Sequence, residues 1–515
     1  MYFVRTCRKR HRMSFPLKDS PHTERVVLLA LWVLLTLWVR PWTGDLRSDP
    51  LTYACIAKDM VANNNWFSPA LEGNPYLNKP PLYFWLVASS FKIFGVSSFT
   101  AKIPSLVFAT LNVFLLYRIV FRAFKDYDLA FFSAFAFETT RWIFRNFATN
   151  RPESLLVFSL LLGWYALLLI NERDSKGPYL LGLSFAIGFM SKLIFALFLP
   201  SVLFVYGLTT RRLYQWLKWP HFYFGCLFGL VLSAPWFFYF ESGHPGYLAY
   251  IIREQVFQRI TQGADVNTDP LMYLKELVIY YQPYLIFFII GLGLLWKRRK
   301  EENFWFVFLA IIIMYLPLQF SEGKSDRYLT GVTPFMSVAT AAGILRFGWI
   351  KNIVKNIAIF GIIPLFLFFW VVPVKVHSEK FEIVHLAERL SKGGETNYRE
   401  TFSFLKIKND LKRTGLYFAE WNPCSPDQEY RHAFSFYLSD SFEHWDTPQF
   451  MHWIKEGNEP VLLLTSPKAA GSLPGDAVSW IKVDSDSYHV LLFGVRNRDA
   501  VSDRMKPSEL MERGK

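Results

Sequence analysis

Apolar runs recur along the chain from Val26 to about Val376 and then stop. Runs near spanning length fall at about 26–39, 103–117, 129–140, 154–170, 178–190, 193–208, 222–240, 278–296, 303–320, 328–345 and 356–375. A helix perpendicular to a bilayer needs about 20 residues to cross it, so the shorter runs must extend into flanking aromatics. The pattern predicts a multi-spanning α-helical membrane protein with about 11 spans, range roughly 11–13. The first run ends in Val39-Arg40-Pro41-Trp42, with no small-residue cleavage site and further spans behind it. It reads as a retained span rather than a signal peptide.

Beyond the last run the pattern changes. Leu416–Ala419, Val461–Thr465 and Val490–Phe493 predict strands, while Glu400–Leu411 and Gln428–Leu438 predict helices. The expected organisation is a basic N-terminus (1–25), a transmembrane domain (26–375) with a large first loop (40–102), a C-terminal soluble α/β domain (376–496) and a polar tail (497–515).

Charge placement turns the runs into a topology. With the N-terminus in the cytoplasm, the loops on that side carry 22 Lys and Arg in 72 residues. The opposite loops carry 15 in 122. This is the positive-inside bias, with Lys297-Arg298-Arg299-Lys300 as its clearest anchor. The orientation depends on a break at Ser191-Lys192, because one span from 178 to 208 would invert everything downstream. On this topology the first loop and the C-terminal domain face away from the cytoplasm.

Composition agrees with the pattern. Hydrophobic residues make up 52% and charged residues only 19%, against roughly 25% charged in soluble domains. A disordered chain and a coiled coil are excluded. The net charge of +14 lies largely in loops beside apolar runs, where headgroups rather than nucleic acid are the expected partners. Cys7, Cys55, Cys226 and Cys424 are scattered without metal-binding spacing, so no disulfide framework is expected.

The candidate chemistry lies in the first loop. Asp49 precedes Pro50 at the start of an amphipathic helix whose apolar face carries Tyr53, Ile56, Ala57 and Met60. By itself Asp49 reads as an N-cap. An aromatic patch, Asn65-Trp66-Phe67-Ser68-Pro69, follows, and then Tyr76-Leu77-Asn78-Lys79-Pro80-Pro81-Leu82-Tyr83-Phe84-Trp85. Lys79, fixed by two prolines at the mouth of an apolar segment, suits a snorkelling anchor or a rigid cation for a phosphate.

The ordered series Asp49-xxx-Tyr53-Ala54-x-Ile56-Ala57, Trp66-x-x-Pro69, Tyr76-x-x-Lys79-Pro80-Pro81, Phe94-Gly95 and Ala101-Lys102-Ile103-Pro104-Ser105 resembles the GT-C fold polyprenyl-phosphate-sugar glycosyltransferases. The types it most resembles are the bacterial lipid A aminoarabinose transferases and the protein O-mannosyltransferases. Weaker pieces continue it: Gly188-Phe189-Met190-Ser191-Lys192, Pro235-Trp236, Ser321-Glu322-Gly323-Lys324-Ser325-Asp326-Arg327-Tyr328 and Pro334.

The resemblance implies an enzyme of the bacterial inner membrane that uses a polyprenyl-phosphate-sugar donor and a lipid, glycan or protein acceptor on the periplasmic side. It implies Asp49 as the catalytic carboxylate, with Tyr76, Lys79 and Tyr328 holding the donor phosphate. Other cations expected on that side are Arg145, Arg151, Lys192, Arg253, Lys324, Arg259 and Arg327, the last three being further phosphate candidates. Tyr53, Asn78 and Asp269 are the remaining site candidates. Relatives often place an acid before Lys-Pro-Pro, where it has been linked to a divalent metal. The amide of Asn78 is a weaker ligand there, so no cofactor is assigned.

Several other signals carry no such chemistry. Gly291-Leu292-Gly293 lies in an apolar span and reads as helix packing. Asp484-Ser485-Asp486 reads as a hairpin turn between strands. Glu241 and His244 read as helix-end residues rather than metal ligands. The rival functional class is a lipid or sugar transporter. Transporters show repeated halves with broken spans, whereas the polar pattern here concentrates in one loop.

Overall fold

The computed structural model describes residues 21–39, 46, 49–71, 74–258, 269–321 and 323–361, with five C-terminal strands. The chain forms two compact units: residues 1–42, 77–80 and 105–372, and residues 43–76, 81–104 and 373–515. In chain order the helices begin with α1 (Pro21–Val33), α2 (Asp49–Ala62), α3 (Leu82–Phe94), α4 (Ser98–Phe124), α5 (Tyr127–Thr139) and α6 (Arg141–Phe147). They continue with α7 (Glu153–Asn171), α8 (Lys176–Lys192), α9 (Phe198–Thr209), α10 (Leu213–Leu217) and α11 (Pro220–Gly243).

The first unit is a helical bundle. Among the described residues, five helical stretches are long and apolar enough to cross a membrane: α4, α7, the stretch Lys176–Thr209, α11 and Glu302–Phe320. A sixth appears if Met272–Tyr280 and Leu285–Lys297, bent by 111°, count as one span. Pro283 lies in that break and cannot continue a helix. Two other expected runs, 129–140 and 328–345, fold as the 13-residue helices α5 and Thr333–Leu345. Each is about 20 Å long at 1.5 Å per residue, short of the ~30 Å hydrocarbon thickness. The run 356–375 starts within Gly348–Phe360 and then leaves the described residues.

The stretch Lys176–Thr209 turns back on itself. Leu193 has φ +48° and a short 3-10 turn runs from Leu193 to Leu197. Asn171 Nδ2, at the end of α7, donates to the Tyr206 hydroxyl near the end of α9 at 3.3 Å. The far ends of α7 and α9 therefore meet, so α8 leaves that end and α9 returns to it. Gly163 of α7 makes room for the hairpin: a Cβ there would sit 2.0 Å from Leu199 and 2.7 Å from Ser184.

Small residues set the other close crossings. A Cβ on Gly182 of α8 would meet the Gly225 carbonyl of α11 at 2.0 Å. Gly291 approaches the Ala339 backbone as closely, the packing role expected of it.

In the second unit, α2 buries the predicted face. Tyr53 is 2% exposed and Ile56, Ala57 and Met60 are fully buried. Trp85 of α3 donates through Nε1 to the Trp66 carbonyl at 2.5 Å, fixing the aromatic patch to the helix. A two-residue antiparallel pair, β1 (Ala70–Leu71) and β2 (Asn74–Pro75), follows it.

The C-terminal strands are β3 (Tyr417–Glu420), β4 (Glu443–His444), β5 (Val461–Thr465), β6 (Val478–Ser485) and β7 (Val490–Arg496). They form one sheet in the order β4-β3-β5-β7-β6. β3 is parallel to β4 and β5, while β7 is antiparallel to β5 and β6. Three strands fall where the sequence placed them. β6 was not expected, because Val478-Ser479-Trp480-Ile481-Lys482-Val483 gives no clean alternation. Asp484 and Ser485 close the β6–β7 pair opposite Leu491 and Val490. The two expected helices, 400–411 and 428–438, and the polar tail lie outside the described residues.

Candidate active site

The charged centre of the helical bundle is built where α7 starts and α8 ends. Glu153, the first residue of α7, is 1% exposed, and Lys192, the last of α8, is 8% exposed. Lys192 Nζ and Glu153 Oε1 are 2.9 Å apart. Two charges so deeply buried are tolerable only when paired. The Lys192 ammonium also lies 4.8 Å from the Phe195 ring centroid and 5.2 Å from that of Tyr328.

More cations than acids gather around this pair. The charges of Lys192, Arg151, Arg327 and Lys79, in that order of strength, all act on the Glu153 carboxylate. Arg151 is held in place by its side chain donating to Asn146 Oδ1 at 2.9 Å. Its backbone exchanges hydrogen bonds with the Ser105 hydroxyl. The Arg327 guanidinium lies 5.9 Å from the Tyr328 ring. Asp326 faces Arg145 instead, at 3.0 Å. Glu153 Oε2 finds no hydrogen-bond partner among the described residues. Among the described residues four cations act on this one buried carboxylate, a concentration of positive charge in a poorly solvated place that suits an anion.

Of the residues expected in a site, Lys79 and Tyr328 are half-buried and belong to this unit. Lys324 is 3% exposed, and its ammonium donates to the Ser321 carbonyl of its own turn. Asn78 Oδ1 accepts from the Tyr250 hydroxyl at 2.6 Å. Asp269 is tied to Lys275 at 2.5 Å and accepts from the Leu271 amide at 2.9 Å. The Lys275 bond and then the amide hold its carboxyl below the usual range. Arg259 lies outside the described residues.

Asp49, Tyr53 and Tyr76 belong to the second unit. Asp49 is the half-buried first residue of α2. Tyr53 sits in the core, with ring centroids 6.4 Å from Tyr83 and 5.7 Å from Phe84. The Tyr76 ring meets the edge of Phe84 at 5.6 Å.

Among the described residues no three His, Cys, Asp or Glu side chains converge as metal ligands. Glu241 instead accepts the Gly246 and Leu248 amides at 2.8 and 2.7 Å, and His244 stacks on Phe240 at 4.4 Å. Both cap a helix end. Among the described residues these donors do not compose a cation site.

Glu153 was not singled out from the sequence. Its signal was a lone acid after Arg151-Pro152 at the mouth of an apolar run, which reads equally as a helix start.

Comparison with known proteins bears on this arrangement. The family model for dolichyl-phosphate-mannose-protein mannosyltransferase matches residues 78–239, from Asn78 past Glu153 and Lys192. An undecaprenyl phosphate-alpha-4-amino-4-deoxy-L-arabinose arabinosyl transferase of Pseudomonas savastanoi pv. phaseolicola is 25% identical over 316 residues, 60% of this chain and 59% of its own. The structure of ArnT from Cupriavidus metallidurans bound to undecaprenyl phosphate superposes with a TM-score of 0.69 at 15% identity, covering 92% of this chain and 98% of that one. The chain shares the fold of that structure.

The likeness in fold reaches further at lower similarity. The archaeal oligosaccharyltransferase AglB from Archaeoglobus fulgidus, in complex with an inhibitory peptide and a dolichol-phosphate, matches with a TM-score of 0.51 at 11% identity. It covers 93% of this chain and 75% of that one. An arabinosyl transferase of Pseudomonas fluorescens is 25% identical over 55% of this chain and 52% of its own. The chain thus spans between half and three fifths of the length of these two curated relatives.

Proposed function

We propose that the chain is an integral membrane glycosyltransferase moving a sugar from a polyprenyl-phosphate donor to a lipid, glycan or protein hydroxyl. The reaction takes place on the periplasmic side of a bacterial inner membrane, with about eleven spans holding the site there. The observation that carries the reading is the gathering of cations around Glu153 and Lys192, which involves Lys79 and adjoins Tyr328. The two curated relatives are undecaprenyl phosphate-alpha-4-amino-4-deoxy-L-arabinose arabinosyl transferases, and this chain shares the fold of an ArnT bound to undecaprenyl phosphate.

The mechanism follows from charge flow. The acceptor hydroxyl oxygen attacks the anomeric carbon, and the bond from that carbon to the phosphate oxygen breaks, leaving its electron pair on the lipid phosphate. Lys79, Tyr76 and Tyr328 hold that phosphate, with Arg327, Lys324 and Arg259 as further cations, so its growing charge is met by fixed donors. Asp49 takes the hydroxyl proton as general base. Lys192 adds its positive charge to that of Lys79 and is itself held by Glu153.

The test is sugar transfer from synthetic polyprenyl-phosphate donors by the full-length protein in membranes. Lys79→Ala and Asp49→Asn are expected to fold and to lose transfer. Folded Asp49→Asn protein with full turnover removes Asp49 from the mechanism. A chelator added to the same assay is expected to leave turnover unchanged.

A further inference from the structure

At the other end of α7 lies a cavity of about 420 Å³ enclosed by α7, α8, α9, α10 and α11. Leu167, Phe185, Leu203, Trp216, Cys226 and Leu230 are among its lining side chains, and the lining is apolar throughout. Its volume is that of a ligand pocket rather than a packing defect. Trp216, 4% exposed, forms its inner wall, while Phe204 and Leu230, at 55% and 53%, stand at an open side. On that side α11 also exposes Phe224, Leu227 and Phe228. In a membrane-embedded bundle this opening faces hydrocarbon. Leu167 is fourteen positions beyond Glu153, about 21 Å along the helix, so the cavity is remote from the cation cluster.

The end of the cavity is closed by two short polar segments, 172–176 and 210–219. They carry exposed Arg173, Lys176, Arg211 and Lys218. Arg173 donates to the Gln215 carbonyl, next to Trp216, at 3.3 Å and lies 5.3 Å from the Trp219 ring. The Lys218 ammonium lies 4.1 Å from the Tyr214 ring. The acids there are engaged: Glu172 pairs with Arg122, Glu302 with Arg212, and Asp174 accepts from the Lys176 amide. His221 meets the Tyr179 hydroxyl at 3.4 Å. An apolar chamber open to the bilayer beneath a cationic rim is complementary to an amphiphile with an acyl chain and an anionic head.

We propose that this cavity is a binding site for one anionic phospholipid, its acyl chain between α8, α9 and α11 and its phosphate among Arg173, Lys176, Arg211 and Lys218. The inference rests on the membrane-embedded reading and not on the donor chemistry. On the proposed topology the lipid belongs to the cytoplasmic leaflet, opposite the donor phosphate. It fills the space that α9 and α10 leave beside the close α8–α11 crossing at Gly182 and Gly225.

Native mass spectrometry of the full-length protein, released from nanodiscs of phosphatidylcholine doped with phosphatidylglycerol, tests this without reading turnover. One phosphatidylglycerol retained per chain, in preference to phosphatidylcholine, is expected. Cys226→Trp, which fills the cavity, is expected to abolish that retention. Arg173→Gln and Lys218→Gln, both in exposed turns and harmless to folding, should each weaken it roughly fivefold. Equal retention of the two phospholipids, or a preference unchanged in the two rim variants, overturns the proposal. Displacement of phosphatidylglycerol by undecaprenyl phosphate also overturns it, because the cavity would then serve the donor's tail. If Cys226→Trp fails to fold, the rim variants alone decide.

Discussion

The two ends of α7 use the same residue types to opposite effect. At the Asn171 end, Arg122 pairs with Glu172, Arg212 with Glu302 at 2.7 Å, and Arg298 with Glu301 at 2.6 Å. These groups are partly or largely exposed, and each of the three cations has its own acid, while Arg173, Lys176, Arg211 and Lys218 beside them stand exposed. At the Glu153 end one acid, 1% exposed, feels four cations. Water screens the first set, so its pairs contribute little and can be exchanged. The second set is out of water, where every unbalanced charge is strong and must be answered by a partner or a ligand. Charge in water orients the protein, whereas charge concentrated out of water calls for a partner or a bound anion.

The sharpest way to break this contrast is Lys192→Ala. It leaves Glu153 buried and unpaired, and about 3–5 kcal/mol of stability is expected to go, read as a lower unfolding midpoint in detergent. The double variant Glu153→Leu/Lys192→Met should recover most of that midpoint and still fail in sugar transfer. A structural role alone would let transfer return with stability.

Lys79→Ala comes next. Turnover should fall about 10²–10³-fold while the unfolding midpoint barely moves, because Lys79 is half-buried and lies in the loop before α3. A midpoint loss as large as that of Lys192→Ala would make Lys79 a structural cation.

At the opposite end, Arg212→Ala is expected to cost no more than about 1 kcal/mol, with turnover unchanged. A larger loss would erase the difference between the ends.

The smallest effect belongs to Asp269, whose carboxyl is held below its ordinary value by Lys275 and the Leu271 amide. A depressed carboxyl contributes stability above its unfolded value, 3.8, and that contribution fades as pH falls below it. Unfolding midpoints of the native chain and Asp269→Asn should therefore differ slightly at neutral pH and converge in acid. A difference that grows in acid contradicts the ion pair.

Much of the fold was legible because hydrophobic periodicity is local. The helices α4, α7 and α11, the face of α2 and three strands came from runs that any segment carries in itself. Run length was less informative. Residues 129–140 and 328–345 looked like spans, yet they end as short helices. Pro283 bends the 278–296 run by 111°. The break at Ser191-Lys192 was readable from charge placement, and the Asn171–Tyr206 bond gives it a geometric cause.

The site was legible only in part. Lys79 and Tyr328 announced themselves through motif and resemblance, and both lie in the unit that carries the cation cluster. Lys192 was visible at the end of a resembling motif and at the span break, but as one cation among many on its side. Glu153 was invisible, because its importance comes from a partner 39 positions away. Tyr53, part of the same motif as Asp49, packs its ring into the core.

Sequence alone determined that this chain seeks a membrane, which of its segments are apolar, and which loop carries the motif. Those properties are sums over neighbouring residues. Tertiary structure alone decided that Glu153 and Lys192 are buried together, that Arg151, Arg327 and Lys79 converge on them, and that a cavity opens at the other end of α7. Pairing, burial and surplus charge depend on distances between residues far apart in the chain, and those distances exist only once the helices have packed.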